Sequence, residues 1–288
     1  MREINMSFFD TDKILHISGA LRSARYEYNK AFLEKGAIKF GTPQSWVDLG
    51  KKYGEGRGDI FEGMFVTFDK RDFNAAYTFG EKYNIPDKDI IIDSFENRIF
   101  YRRKQTMSLP TFCLYGIKYD IFDIIPQVGK QRICGVIPGE YFTAFSDIID
   151  GSTAIIPTNE KPSTVFISNF DLFKERVILK LMELGVLENE IICEPIHYYD
   201  ADVYGDNYWF EISSSSPKEL LWKRKKFENQ SEIRLIVNSK NKSAMNILRN
   251  EIIEVGELTD IAQIATADFK NGLNIEMTID IGIKNGLQ

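Results

Sequence analysis

Two histidines and three cysteines among 288 residues leave little material for a soft-metal centre. His16 and His197 stand far apart, which argues against a multi-histidine site. Cys113, Cys134 and Cys193 are odd in number and show no CxxC or paired-ligand spacing, which argues against a disulfide framework and against zinc. Each lies in an apolar run (TFCLYG, RICGVI, IICEPI), the setting of a buried free thiol. No apolar stretch approaches the roughly 18 residues of a membrane-spanning helix. The longest candidates, residues 121–125 and 133–137, are short and interrupted. The opening MREINMSFFD lacks the apolar segment and small-residue cleavage site of a secretory signal. These absences predict a cytoplasmic protein with no membrane partner and no metal. Repeats and low-complexity tracts are also missing.

What is present suits a large core. The chain is 43% hydrophobic and 13% aromatic, and a fold of about 300 residues hides roughly 75% of the surface of its unfolded form. At 27% charged it is no disordered polyelectrolyte. Lys and Arg number 36 against 42 Asp and Glu, and the net charge of −6 argues against a protein built mainly to neutralise phosphate. The nearest thing to a linker, SSSSP at 213–217, reads as a loop or helix start with Pro217 near the first helical position. A single domain spanning 1–288 is the prediction.

Periodicity predicts an α+β domain around a mixed, mostly antiparallel sheet with flanking helices. KILHIS (13–18) reads as a strand, and 19–36 as an imperfect helical stripe stopped by Gly36. AIKFGTPQSW reads as a strand running into a turn, YGEGRGD as a glycine-rich loop, EGMFVTF as a strand and 72–83 as a helix. From residue 89 strand signals dominate: IIIDSF, RIFYRRK, TFCLYGI, RICGVI, SDIIDGSTAII and TVFIS. Residues 171–187 form the clearest helix, with Asp171 as cap and Gly185 as stop. Then follow strands in ICEPIHYYD and NYWFEIS, a short helix over 217–227, a core strand over 232–238 and a final strand over 273–283.

The segment WKRKKFENQSEIRLIV (222–237) is the richest in chemistry. Glu232 opens a core strand behind a loop, so its carboxylate is held by a rigid element next to a cleft, as stabilising a cation on a sugar ring requires. The plainer reading is a surface Glu232 paired with Arg234, since residues two apart on a strand face the same way. His16 on the first strand is either a structural histidine or a donor to a ribose hydroxyl, with Ser18 beside it. The loop GEGRGDIFEG offers backbone amides to an anion but lacks the lysine and hydroxyl of a phosphate-binding P-loop, and Arg57 and Asp59 alternatively close a turn by pairing. Arg98, Arg102, Arg103 and Lys104, and Lys218 with 223–226, interleave with Phe100, Tyr101 and Trp222. Such clusters suit single-stranded nucleic acid, or else are solvated faces.

As an ordered set, these segments resemble an uncharacterised bacterial domain family. KILHIS, EKGAIKFGTPQSW and RGDIFEG correspond to its opening blocks, TFCLYG with Cys113 to a Cys-Phe-Ser strand, and CGVIPGEYF to a central block whose tryptophan is absent here. KRKKFENQSEIRLIV corresponds to its late signature, with Gln230 in place of the first glutamate. The resemblance spans residues 14–237, and strands within 250–283 complete the same domain. The same blocks are similar to the His…Tyr…Glu pattern of the ADP-ribosyltransferase superfold, and this implies an ADP-ribosyltransferase-like fold and NAD as the cofactor consumed. It further implies Glu232 as the catalytic carboxylate and Gln230 as the selector of a macromolecular acceptor, protein or nucleic acid. His16, Ser18, Arg57 and Arg234 would bind NAD. Tyr141, Tyr115 and Tyr77 are all candidates for the middle aromatic. A role in phage–host conflict, as toxin or counter-defence, suits such an effector. Two other functions compete: a non-enzymatic binding module on the same fold, and a nucleic-acid-binding protein using the basic clusters.

Overall fold

The computed structural model describes residues 17–53, 58–69, 90–95, 98–118, 121–127, 130–146, 162–199, 208–209, 217–265 and 271–280. The described part opens with β1 (Ile17–Arg25), α1 (Tyr26–Lys35), β2 (Ala37–Ile38) and α2 (Pro43–Tyr53). Next come β3 (Met64–Asp69), β4 (Ile90–Phe95), β5 (Arg98–Arg103), the short α3 (Lys104–Met107) and β6 (Thr111–Lys118). Then follow β7 (Phe122–Gln127), β8 (Lys130–Ile137), α4 (Gly139–Ser146), β9 (Pro162–Ile167) and α5 (Phe170–Glu183). After α5 lie β10 (Ile191–Pro195), β11 (His197–Tyr199), β12 (Tyr208–Trp209), β13 (Trp222–Arg224) and β14 (Glu232–Val237). The series closes with α6 (Lys242–Asn250), β15 (Ile253–Glu254), β16 (Ala262–Ala265) and β17 (Leu273–Asp280). The architecture is α+β with mostly antiparallel sheets.

Backbone contacts gather into two compact units, each drawn from separated stretches. The first comprises Met1–Leu33, Tyr115–Phe173 and Leu258–Gln288, and the second Glu34–Leu114 and Lys174–Glu257. Because the chain passes between units inside regular elements such as β6 and α5, no linker composition marks the division.

In the first unit β1 pairs antiparallel with β6 (Leu21↔Tyr115) and with β9 (Ser23↔Thr164), and β9 pairs in turn with β16. A second sheet has the order β17-β8-β7. Leu21, Tyr115, Ile117, Ile137, Tyr141 and Phe142 form one core cluster. Here the expected helix over 19–36 is corrected: residues 19–25 belong to β1 and the helix starts only at Tyr26. Strand partners on both sides outweigh a weak helical stripe, and Gly19 permits the approach, since a Cβ there would lie 2.8 Å from the Ile167 carbonyl oxygen.

In the second unit β10 and β14 pair antiparallel, and β12-β3-β5-β4 make a further sheet. All six residues of β14 are buried, including Glu232 and Arg234, which alternate with Ile233 and Leu235 in the sequence. Gly36 at φ +64° ends α1 as predicted. The segment TPQSW is helical in α2, with Pro43 first and Ser45 Oγ donating to the Thr42 carbonyl at 2.6 Å. The expected helix over 217–227 is a 3-10 turn (Lys218–Leu221), strand β13 and a second 3-10 segment (Lys225–Gln230). The helix α5 is real, but Asn169 Oδ1 caps it by accepting from the Leu172 amide at 3.0 Å, in place of Asp171. The helix expected over 72–83 lies outside the described residues, as does nearly all of the strand expected in SDIIDGSTAII.

Candidate functional site: a buried ion cluster

The second unit places the late signature, the end of the glycine-rich loop and the Cys113 strand at one point. Asp59 and Glu62 come from the loop before β3, Cys113 from β6, Tyr198 from β11, Lys223 and Arg224 from β13, and Glu232 and Arg234 from β14. Residues 232 and 234 share a strand face, so their pairing follows from the two-residue period. The plainer sequence reading is right about that pair and wrong about its surface position. Arg234 is 0% and Glu232 7% exposed.

Arg234 organises the cluster. Its Nε donates to Glu232 Oε1 at 2.6 Å, and its Nη atoms make a two-point contact with Glu62 at 2.5 and 2.8 Å. Nη1 also donates to the Leu220 carbonyl at 2.6 Å, and the guanidinium lies 5.1 Å from the Trp46 ring centre. Lys223 Nζ donates to Glu232 Oε2 at 2.8 Å and to Gln230 Oε1 at 2.7 Å. The Glu232 amide donates to the Tyr198 hydroxyl at 2.9 Å. Between Gln230 and Glu232, Ser231 has φ 38° and ψ 47°, the only positive φ outside glycine among the described residues. That left-handed residue turns both flanking side chains onto one ammonium.

Burial alone would raise the Glu232 pKa, but Arg234 and Lys223 outweigh it and hold the carboxyl below its ordinary range. Glu62 goes the other way: burial raises it more than Arg234 lowers it. Burial works to lower Lys223, yet Glu232 reverses this and leaves it raised. The Cys113 thiol, hydrogen-bonded to Glu232, is pushed well up by burial and then by that carboxylate. The cluster is thus an ionised Glu232 held between two cations.

The basic residues of the sequence are mostly consumed inside this unit. Arg102, 1% exposed, donates to the Glu62 carbonyl at 2.8 Å and to Asp93 at 3.2 Å. Arg103 forms a two-point contact with Glu219 at 2.6 and 2.5 Å, and Thr106 donates to the same carboxylate. Arg224 pairs with Asp59 at 2.5 Å and stacks 3.7 Å from the Phe61 ring centre. Lys225 and Lys226 are exposed. A nucleic-acid face built on both clusters therefore lacks four of its cations.

Of the residues assigned from sequence, Glu232, Gln230 and Arg234 meet. Ser18 lies on β1 in the first unit, while His16 and Arg57 lie outside the described residues. Tyr115 and Tyr141 pack against each other in the first unit with ring centres 4.5 Å apart, and Tyr77 lies outside the described residues. Sequence reasoning missed Glu62, Tyr198 and Trp46, and treated Lys223 only as part of a basic cluster. The acidic GDIFEG loop was the available signal for Glu62. Among the described residues no group of three His, Cys, Asp or Glu side chains is placed to hold a metal. No described helix is long and apolar enough to cross a membrane. No protein-family model, curated protein or solved structure matches the chain.

Proposed function

We propose that the second unit carries an NAD-cleaving, ADP-ribosyltransferase-like site in which Glu232 holds the positive charge that develops on ribose. The observation that carries this reading is the shared cation. Gln230 Oε1 and Glu232 Oε2 converge on Lys223 Nζ at 2.7 and 2.8 Å. Oxygens fixed around an ammonium are preorganised for another positive centre at that spot. Arg234, anchored on Glu62, fixes the remaining Glu232 oxygen, so the carboxylate needs no reorganisation.

In this proposal the bond between C1′ of ribose and the nicotinamide nitrogen breaks. Nicotinamide leaves with the bonding electron pair, and the ribose acquires oxocarbenium character that Glu232 stabilises in place of Lys223. A nucleophile of a macromolecule, positioned by Gln230, or a water molecule then bonds to C1′ and releases its proton to solvent. Arg57 is the proposed NAD contact within this unit, and conflict between phage and host is the proposed setting.

Saturation of both Glu232 oxygens favours a second reading, a binding module in which the cluster is purely structural. Incubation with nicotinamide-labelled NAD separates the two. Release of label by the wild type, reduced by about a hundredfold or more in Glu232→Gln, is the expected result. No release by the wild type overturns the enzymatic reading in favour of the binding module. Equal release by a folded Glu232→Gln overturns the role of Glu232.

A further inference from the structure

The first unit contains a cation, Arg22, with no counter-charge among the described residues. Arg22 is half-buried on β1, and among the described residues no carboxylate lies within ion-pair distance of it. Its Nη1 donates to Asn29 Oδ1. Its Nε–Nη2 edge, the side-on fork that fits a planar or tetrahedral oxyanion, donates to no described protein acceptor. The guanidinium lies 4.9 Å from the Phe32 ring centre, and a ring beneath it orients the plane of the fork.

The surroundings are fixed. Asn29 on α1 is fully buried, and its Nδ2 donates to the Ser163 carbonyl at 2.8 Å and to Ser163 Oγ at 3.0 Å. Longer contacts of 3.4 Å reach the Arg22 and Ala24 carbonyls. This clamp leaves Asn29 Oδ1 facing Arg22 alone. Burial lowers the Arg22 pKa to about 10, the direction expected of a desolvated cation, but arginine remains charged at neutral pH. A persistent charge, desolvated and half-buried, is stabilised by a negative group supplied from outside.

We propose that Arg22 anchors an oxyanion-binding site on the first unit, receiving the phosphate or carboxylate group of a small ligand through its Nε–Nη2 edge. Arg22 and Asn29 are binding and positioning residues respectively. The inference is independent of the NAD reading, because it uses no residue of the second unit.

The test is thermal unfolding of the full chain with inorganic phosphate or acetate, against chloride at constant ionic strength, for wild type, Arg22→Met and Arg22→Lys. A saturable rise of the wild-type Tm with phosphate or acetate is expected, and the more effective anion identifies the ligand group. Arg22→Met should abolish the rise, and Arg22→Lys, which keeps the charge but loses the fork, should weaken binding roughly tenfold. Without anion, Arg22→Met should be moderately less stable than wild type, since it leaves the buried Asn29 Oδ1 without its donor. Two results overturn the proposal: no saturable response of the wild type to either anion, or an unchanged response in Arg22→Met (in Arg22→Lys, if Arg22→Met does not fold).

Discussion

Arg234 in the second unit stands between two carboxylates with a backbone carbonyl completing its shell, whereas Arg22 in the first has one carboxamide oxygen and an aromatic ring. Both have lost much of their hydration. Only Arg234 recovers it from charge-assisted hydrogen bonds, and Glu232 is kept ionised as a consequence. The contrast teaches that burial by itself does not mark a structural charge. A compensated one is part of the core, and an uncompensated one is where a ligand's charge is proposed to bind.

The largest effect should come from breaking the compensated side. Arg234→Met leaves Glu62 and Glu232 facing each other without their shared cation, and a loss of about 3–5 kcal/mol is expected in urea unfolding. The same substitution at Arg22 orphans only the buried Asn29 Oδ1 and should cost less, about 1–3 kcal/mol, so the pair of variants measures the difference between the two sites directly. Neutralising both carboxylates together with Arg234→Met should recover part of the loss, because the penalty lies in the orphaned charges.

A pH titration sharpens the comparison next. Glu232 ionises more readily in the folded state than in the unfolded one. Its contribution is therefore fully present above the unfolded value of about 4.3 and is lost as pH falls through the lower folded value. Glu62 has the opposite sign: with its folded value raised, its contribution is present below the unfolded value and lost as pH rises through the folded one. Glu232→Gln should consequently flatten the acid limb of the stability curve, measured as urea midpoints between about pH 5 and 2. An unchanged limb would move the acid sensitivity elsewhere.

The smallest effect is expected at an ion pair of good geometry in water. Arg132 and Glu276 meet at 2.7 Å twice across β8 and β17, yet their side chains are 41% and 55% exposed. Glu276→Gln should leave the Tm unchanged, since solvent and salt already screen the pair. A large loss there would erase the distinction between buried and exposed charge on which the comparison depends.

Much of the fold was readable from local pattern. The strands β3, β5, β6 and β14 follow from β-branched and aromatic runs between turn residues, and α5 ends at Gly185 with φ +84°. Helix α6 is legible too: Ala244, Met245 and Leu248 form its buried apolar stripe, and Asn241 caps it by accepting from the Ser243 and Ala244 amides, but at nine residues the stripe is short. Residues 19–25 were misassigned because a helical stripe is visible locally while β6 and β9, the strands that claim β1, lie about a hundred residues or more away.

The candidate site divides in the same way. The amino-acid sequence determined that Glu232 and Arg234 share one face and that Gln230 lies two residues before the carboxylate, because strand geometry has a period of two. Only the tertiary structure decided that the pair is buried, that Glu62, 172 positions from Arg234, is the second carboxylate, and that Lys223 bridges Gln230 and Glu232. It also decided that Arg22 receives no carboxylate among the described residues. Periodicity is a property of neighbouring residues along the chain, whereas solvation and charge compensation depend on which distant segments are brought together, and no local pattern carries that information.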